Sequence, residues 1–205
     1  PTMVAALVHP EKAYAINSEP VSRIAQALTG RPIFASNSLS PREYVDVLGR
    51  TGYVPERPHI YPTLTVDEAI RLHAAFHPRW DAARSRELLE SFALIGDRRV
   101  PSLYKGETGK LMMLIALAQR PELLVLDEPT DGLDPVVRRD VLSALLEYVS
   151  AEGATVLISS HLVHELERIC DWIAVMDRGR LVAEVPTDDF KSGIKRLRLS
   201  GAAFP

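Results

Sequence analysis

Cysteine is almost absent. Cys170 stands alone among 205 residues, so neither an internal disulfide nor a cysteine metal cage can form, which fits a reducing compartment. Long apolar runs are missing too: the longest, residues 111–118, falls far short of the ~20 residues that a membrane-crossing helix needs. No basic-then-apolar leader opens the sequence, and nothing argues for secretion. Positive charge is not in surplus. The 24 basic and 27 acidic residues leave a net charge of −3, against the basic excess of nucleic-acid binders. The short runs Arg98-Arg99, Arg138-Arg139 and Lys195-Arg196 read as solvated faces. Internal repeats and low-complexity stretches are also lacking.

What is there is the composition of a globular protein. Hydrophobic residues are 46% and charged residues 25%, in a chain long enough for one domain or for one domain with an inserted lobe. Residues 4–8 and 13–17 read as short apolar strands, and 21–29 as a helix stopped by Gly30. Ser40-Pro41-Arg42-Glu43 and Thr65-Val66-Asp67-Glu68 have the form of helix starts, where a hydroxyl accepts from an early N–H and a glutamate reaches back. Asp81 caps a further helix carrying Leu88, Leu89 and Phe92 on one face, with Gly96 past its end. Residues 123–126 are a continuous apolar run between turn residues, the mark of a buried parallel strand. Asp134-Pro135 opens a helix that Gly153 closes, followed by strand 155–158, helix 162–169 and strands 172–176 and 181–185. The succession predicts an α/β fold with a parallel sheet covered by helices on both faces. Residues 57–118 show helices and no convincing strand. They read as a helical lobe inserted into a core made of residues 1–56 and 119–205.

The chemistry concentrates in Leu123-Leu124-Val125-Leu126-Asp127-Glu128-Pro129. Four apolar residues followed by two carboxylates place Asp127 and Glu128 at the carboxyl end of a buried strand, where open α/β sheets bind ligands. There Asp127 can hold Mg²⁺ and Glu128 can polarise a water. The plainer alternative is a pair that ends a strand and caps the next turn.

Further motifs bear on that choice. Thr130-Asp131-Gly132-Leu133-Asp134-Pro135 follows directly, and Thr155-Val156-Leu157-Ile158-Ser159-Ser160-His161 comes after it. In order and spacing the three segments resemble an ATP-binding cassette (ABC) ATPase, as its Walker B strand, D-loop and switch-histidine strand. Gly52-Tyr53-Val54-Pro55-Glu56 resembles the Q-loop segment, and Phe76-His77-Pro78-Arg79-Trp80-Asp81 a YtrB-like subset tied to ABC-2-type permeases. Leu103-Tyr104-Lys105-Gly106-Glu107 falls on the signature motif.

The resemblance implies a P-loop-NTPase-like (RecA-like) core, ATP and Mg²⁺ as ligands, and no nucleic acid. It implies a transmembrane permease as partner and a homodimer, or a heterodimer with another ABC ATPase subunit, sandwiching ATP head to tail. The place implied is cytoplasmic, on the inner face of the cell membrane. By the same resemblance Glu128 orients the attacking water and His161 holds the γ-phosphate. Asp127 stands on the magnesium, Glu56 in the Q-loop, Asp134 in the D-loop, and Tyr104, Gly106 and Glu107 in the signature. His161 also has a plainer reading, as a cap on the helix that follows.

The chain departs from the family at the phosphates. A P-loop needs GxxxxGK[ST] between a strand and a helix, so that backbone N–H groups wrap the phosphates and a lysine neutralises them. At that place stand Ile16-Asn17-Ser18-Glu19-Pro20-Val21-Ser22-Arg23, with no glycine, no lysine and a repelling Glu19. The one Gly-Lys pair, Gly109-Lys110, has Tyr104 where the first P-loop glycine belongs and no strand leading in. Tyr104 also replaces the signature serine. The few residues before the first core strand point to a reduced N-terminal β-subdomain without an adenine-stacking aromatic.

The reading is a cassette of an ABC-2-like exporter, degenerate and impaired in its own ATP binding and hydrolysis, coupled to a permease. Two others stay open: a repurposed soluble ABC-fold enzyme or interaction module that does not use ATP, and a functional ABC ATPase with a substitute phosphate loop. His73 with His77, and His161 with His164, have zinc-like spacing but no obvious third ligand. Met112, Met113, Trp80, Trp172 and Cys170 read as packing residues.

Overall fold

The computed structural model describes residues 3–8, 46–177 and 180–193. The expected strand at 13–17, the helix at 21–29, the helix start at Ser40, the phosphate-loop position 16–23 and the bulk of the reduced β-subdomain lie outside the described residues. The strands are β1 (Met3–Val8), β2 (Thr51–Val54), β3 (Leu123–Asp127), β4 (Thr155–Ser160), β5 (Trp172–Asp177) and β6 (Arg180–Pro186). The helices are α1 (Val66–Phe76), α2 (Ala82–Ser91), α3 (Lys105–Ala118), α4 (Pro135–Glu152), α5 (Val163–Ile169) and α6 (Thr187–Gly193).

The strands form one sheet in the order β2-β3-β4-β1-β5-β6. β2, β3 and β4 are parallel, with Gly52 beside Leu124 and Leu126 beside Ile158. The parallel sheet therefore holds across this part. β1, however, lies antiparallel between β4 and β5, and β6 returns antiparallel on β5. The sheet as a whole is mixed. A reversal as tight as the one between Asp177 and Arg180, which are paired in register, can only bring a strand back antiparallel, because a parallel return needs a long crossover. In β4, Val156, Ile158 and Ser160 are buried while Thr155, Leu157 and Ser159 are half-buried, so neither face is open.

Capping fixes where the helices begin. Thr65 Oγ1 accepts from Glu68 N at 3.2 Å, and Glu68 Oε2 accepts from Thr65 N at 2.8 Å, a reciprocal box. Asp81 accepts from the N–H groups of Ala83 and Arg84, and Asp134 from those of Val136 and Val137. α4 ends on Gly153 at φ +64°, the left-handed cap that glycine favours. α2 ends differently from expectation. Ala93, at φ +52°, makes the left-handed turn, and Gly96 serves close packing instead: a Cβ there would lie 2.4 Å from the Asp67 carboxylate oxygens.

α3 is buried along Leu111–Ala118, packed against α2, α4 and β2. Gly52 permits this, since a Cβ there would sit 2.9 Å from Leu124 Cδ2 and 3.2 Å from Ala116 O. Leu114, Leu117, Leu124, Leu126, Leu145, Ile158 and Ile173 form one continuous core between helices and sheet. At roughly 1.5–3 kcal/mol for each fully buried aliphatic side chain, this core is what holds the carboxyl ends of β3 and β4 in place.

Candidate functional site

The site grows from the ends of two neighbouring strands. Asp127, last in β3, pairs in register with Ser159 of β4. The next residue, Glu128, is left-handed at φ +47°, and its N–H donates to both Ser159 O and Ser159 Oγ at 3.1 Å. The Ser159 hydroxyl in turn donates to Asp127 Oδ1 at 2.6 Å. One hydroxyl thus fixes both acidic residues. The left-handed turn carries the Glu128 carboxylate to His161, whose Nδ1 lies 2.9 Å from Oε2. Glu128 is mostly covered, at 17% side-chain exposure, and His161 half open, at 53%.

Among the described residues, Asp127 Oδ2 has no hydrogen-bond partner. A carboxylate oxygen at a strand end is the hard donor that Mg²⁺ takes, so the residues present fit that ion. The paired histidines fare otherwise: no set of three His, Cys, Asp or Glu ligands occurs among the described residues. Burial, with the His77 charge adding to it, holds the His73 imidazole below its ordinary pKa. Cys170 is buried and its thiol is pushed up to about 12 by that burial, as suits a packing residue.

The loop after Glu128 is tied down at both ends. Asp131 N–H donates to Glu128 O at 3.0 Å, and the Asp131 carboxylate meets Lys105 Nζ at 2.8 Å. That hydrogen bond keeps the Asp131 carboxyl below its usual pKa, with the Lys105, His161 and Arg138 charges helping. Leu133 is buried, and exposed Asp134 spends its Oδ1 on the cap of α4.

Lys105 opens α3 and so links this loop to the segment matched to the signature. Tyr104 is 77% exposed, and the Arg98 guanidinium lies 5.8 Å from its ring centroid. Glu107 reaches back to Tyr104 N at 2.8 Å and pairs with Arg98. Gly106 lies against Val137, where a Cβ would come within 3.2 Å of Cγ1. Glu56 is exposed just past β2.

The structure therefore brings Asp127, Glu128 and His161 together and joins Tyr104, Gly106 and Glu107 to the Asp131 loop through Lys105, while Glu56 follows β2, the strand beside β3. Ser159 and Lys105 were not singled out from the sequence. The period-2 pattern of β4, which puts Ser159 on the half-buried face at the strand end, is the signal that could have found Ser159. No helix among the described residues is long and apolar enough to cross a membrane.

Comparison with known proteins gives the family and the fold. Residues 20–131, more than half of the chain, match the family described as ABC transporter; residues 108–167 also match one described as AAA domain, putative AbiEii toxin, type IV toxin–antitoxin system. The ABC transporter ATP-binding protein YtrB of Bacillus subtilis is 27% identical over 148 residues, covering 72% of this chain and 51% of that protein. The bacitracin transport ATP-binding protein BcrA of Bacillus licheniformis is 30% identical over 161 residues, covering 78% of this chain and 52% of that protein. The chain thus spans about half the length of the curated relatives it matches. A solved ATP-binding subunit of an ABC transporter superposes with a TM-score of 0.66 at 25% identity, over 86% of this chain and 77% of that one. With that α/β architecture in common and a family match across most of its first two thirds, the chain belongs to the ABC transporter family, in its ATP-binding domain.

Proposed function

We propose that the chain is a degenerate nucleotide-binding subunit of an ABC-2-type exporter, seated on a membrane permease at the cytoplasmic face and paired with a second cassette. Its own ATP binding and hydrolysis are impaired. One contrast carries the reading: Asp127, Glu128, Ser159 and His161 are assembled within hydrogen-bond distance, while residues 16–23 contain neither glycine nor lysine. Hydrolytic groups without a phosphate cradle can act on a triphosphate only if something else holds it, because phosphoryl transfer depends on positioning and charge neutralisation.

In this reading Glu128 orients water, His161 faces the γ-phosphate, and Asp127 holds Mg²⁺ when nucleotide is present, the ion supplying charge neutralisation. Residues 1–56 and 119–205 form the core and 57–118 the lobe that meets the permease beside Glu56. Asp134, Tyr104, Gly106 and Glu107 face the second cassette. Tyr104 supports the impairment, since its exposed ring stands where a small serine would touch the partner's nucleotide. The export named for Nod factor export ATP-binding protein I of Cupriavidus pinatubonensis, 34% identical over 140 residues, supports the exporter assignment.

Calorimetric titration with Mg-ATP tests this. No saturable binding at micromolar nucleotide is expected, and a micromolar dissociation constant would overturn the degeneracy. The intact Glu128–His161 contact favours one second reading, a working ATPase with a substitute loop. ATP turnover that vanishes in Glu128→Gln selects it.

A further inference from the structure

A buried carboxylate lies beneath the candidate site and belongs to none of its motifs. Glu165, on α5, is only 8% exposed, and a carboxyl group is costly to bury unless its oxygens are paired. Oε2 accepts from Thr130 Oγ1 at 2.9 Å, a bond buried at both ends, and Thr130 itself is 2% exposed. Oε1 pairs with Arg138 in the first turns of α4. Arg138 donates onward to Leu133 O at 3.1 Å.

One side chain therefore ties three segments: the turn after Glu128, the loop that enters α4, and the helix that follows His161. Glu128 and His161 sit on the first and last of these, and they meet through one 2.9 Å contact. We propose that Glu165 is a positioning residue, which sets the distance between Glu128 and His161 by clamping Thr130 and Arg138 between the two segments. Its importance for hydrolysis rests on the second reading above, a working ATPase, but the placement itself is testable without nucleotide.

The experiment reads the ring nitrogens of His161 by NMR in the full chain labelled with ¹⁵N-histidine, assigned by their loss in His161→Gln. Glu128→Gln marks where these resonances move when the carboxylate contact changes. Glu165→Gln keeps the shape and removes the charge from Arg138; Thr130→Val removes the hydroxyl donor. Both are expected to move the His161 resonances toward their positions in Glu128→Gln. Tyr148→Phe is the control for general destabilisation, because it removes a buried hydroxyl bond to Pro121 O, 2.9 Å long, before the opposite end of β3. It should leave His161 where it was. The proposal is overturned if Glu165→Gln and Thr130→Val lower the unfolding midpoint as Tyr148→Phe does and leave the His161 resonances at their parent positions. A tight Mg-ATP titration, by contrast, would remove the degeneracy and leave this placement standing.

Discussion

Glu128 has a backbone that its side chain does not favour. A non-glycine residue in the left-handed region costs about 1–2 kcal/mol, and the φ of +47° is what turns the carboxylate toward His161. Relief of that strain offsets the flexibility glycine adds to the unfolded chain, which by itself costs roughly 0.5–1 kcal/mol. Glu128→Gly also loses the His161 contact, so the change in unfolding free energy is expected to stay within about 1 kcal/mol in urea titration. The opposite holds at Gly132, where φ is +62° and a Cβ would lie 2.3 Å from Lys105 Nζ. The lysine tip can move aside, so backbone strain dominates: Gly132→Ala should cost about 1 kcal/mol and loosen the Lys105–Asp131 pair. That pair also has a pH signature. The Asp131 carboxyl titrates below its ordinary value in the fold, so its stabilising contribution is complete above the unfolded-chain pKa and is lost as pH falls through the depressed folded one. Unfolding midpoints should fall on that acid side, and Lys105→Met should make the fall shallower.

Among the elements, starts were legible and strand order was not. The box at Thr65, the cap at Asp81 and the Asp134-Pro135 start are short-range chemistry, and all three form as their residue types require. β3 and β4 were readable because their apolar runs are bounded by turn residues. β2, the 3₁₀ turn Val100–Ser102 and α6 went unread: β2 has only four residues, and α6 follows β6 with no gap, its acidic first turn being the one available sign. The antiparallel placement of β1 rests on pairing with residues 148 to 173 positions away, which no local period encodes. The site shows the same division. Asp127, Glu128 and His161 could be found from motif spacing, whereas Ser159, Lys105 and Glu165 act through contacts that only the folded sheet creates. The cap of α4 offers a test at this scale. Asp134→Ala, losing both N-terminal acceptor bonds, should destabilise by about 1 kcal/mol, and Asp134→Ser should recover most of it.

For the molecule as a whole, the proposed function makes a partner the means of attachment to a membrane. No described helix is long and apolar enough to cross a bilayer, and the net charge of −3 gives no overall attraction to an anionic leaflet. The exposed large apolar side chains of the described residues, among them Tyr53, Tyr61 and Phe76, lie in and around the segment that the proposed function sets against the permease. Exposed apolar surface marks contact sites for proteins or membranes, and the proposed permease is the partner that would cover it. The expectation is specific. Expressed alone, the chain should stay in the supernatant and fail to sediment with vesicles rich in anionic lipid, at low salt as well as at physiological salt. Expressed together with the permease that the proposed function assigns to it, it should sediment with membranes and be released by an alkaline wash that leaves spanning proteins behind. Sedimentation with bare anionic vesicles would mean that the lipid itself is the anchor, and would remove the reason for assigning Glu56 and the lobe beside it to a protein partner.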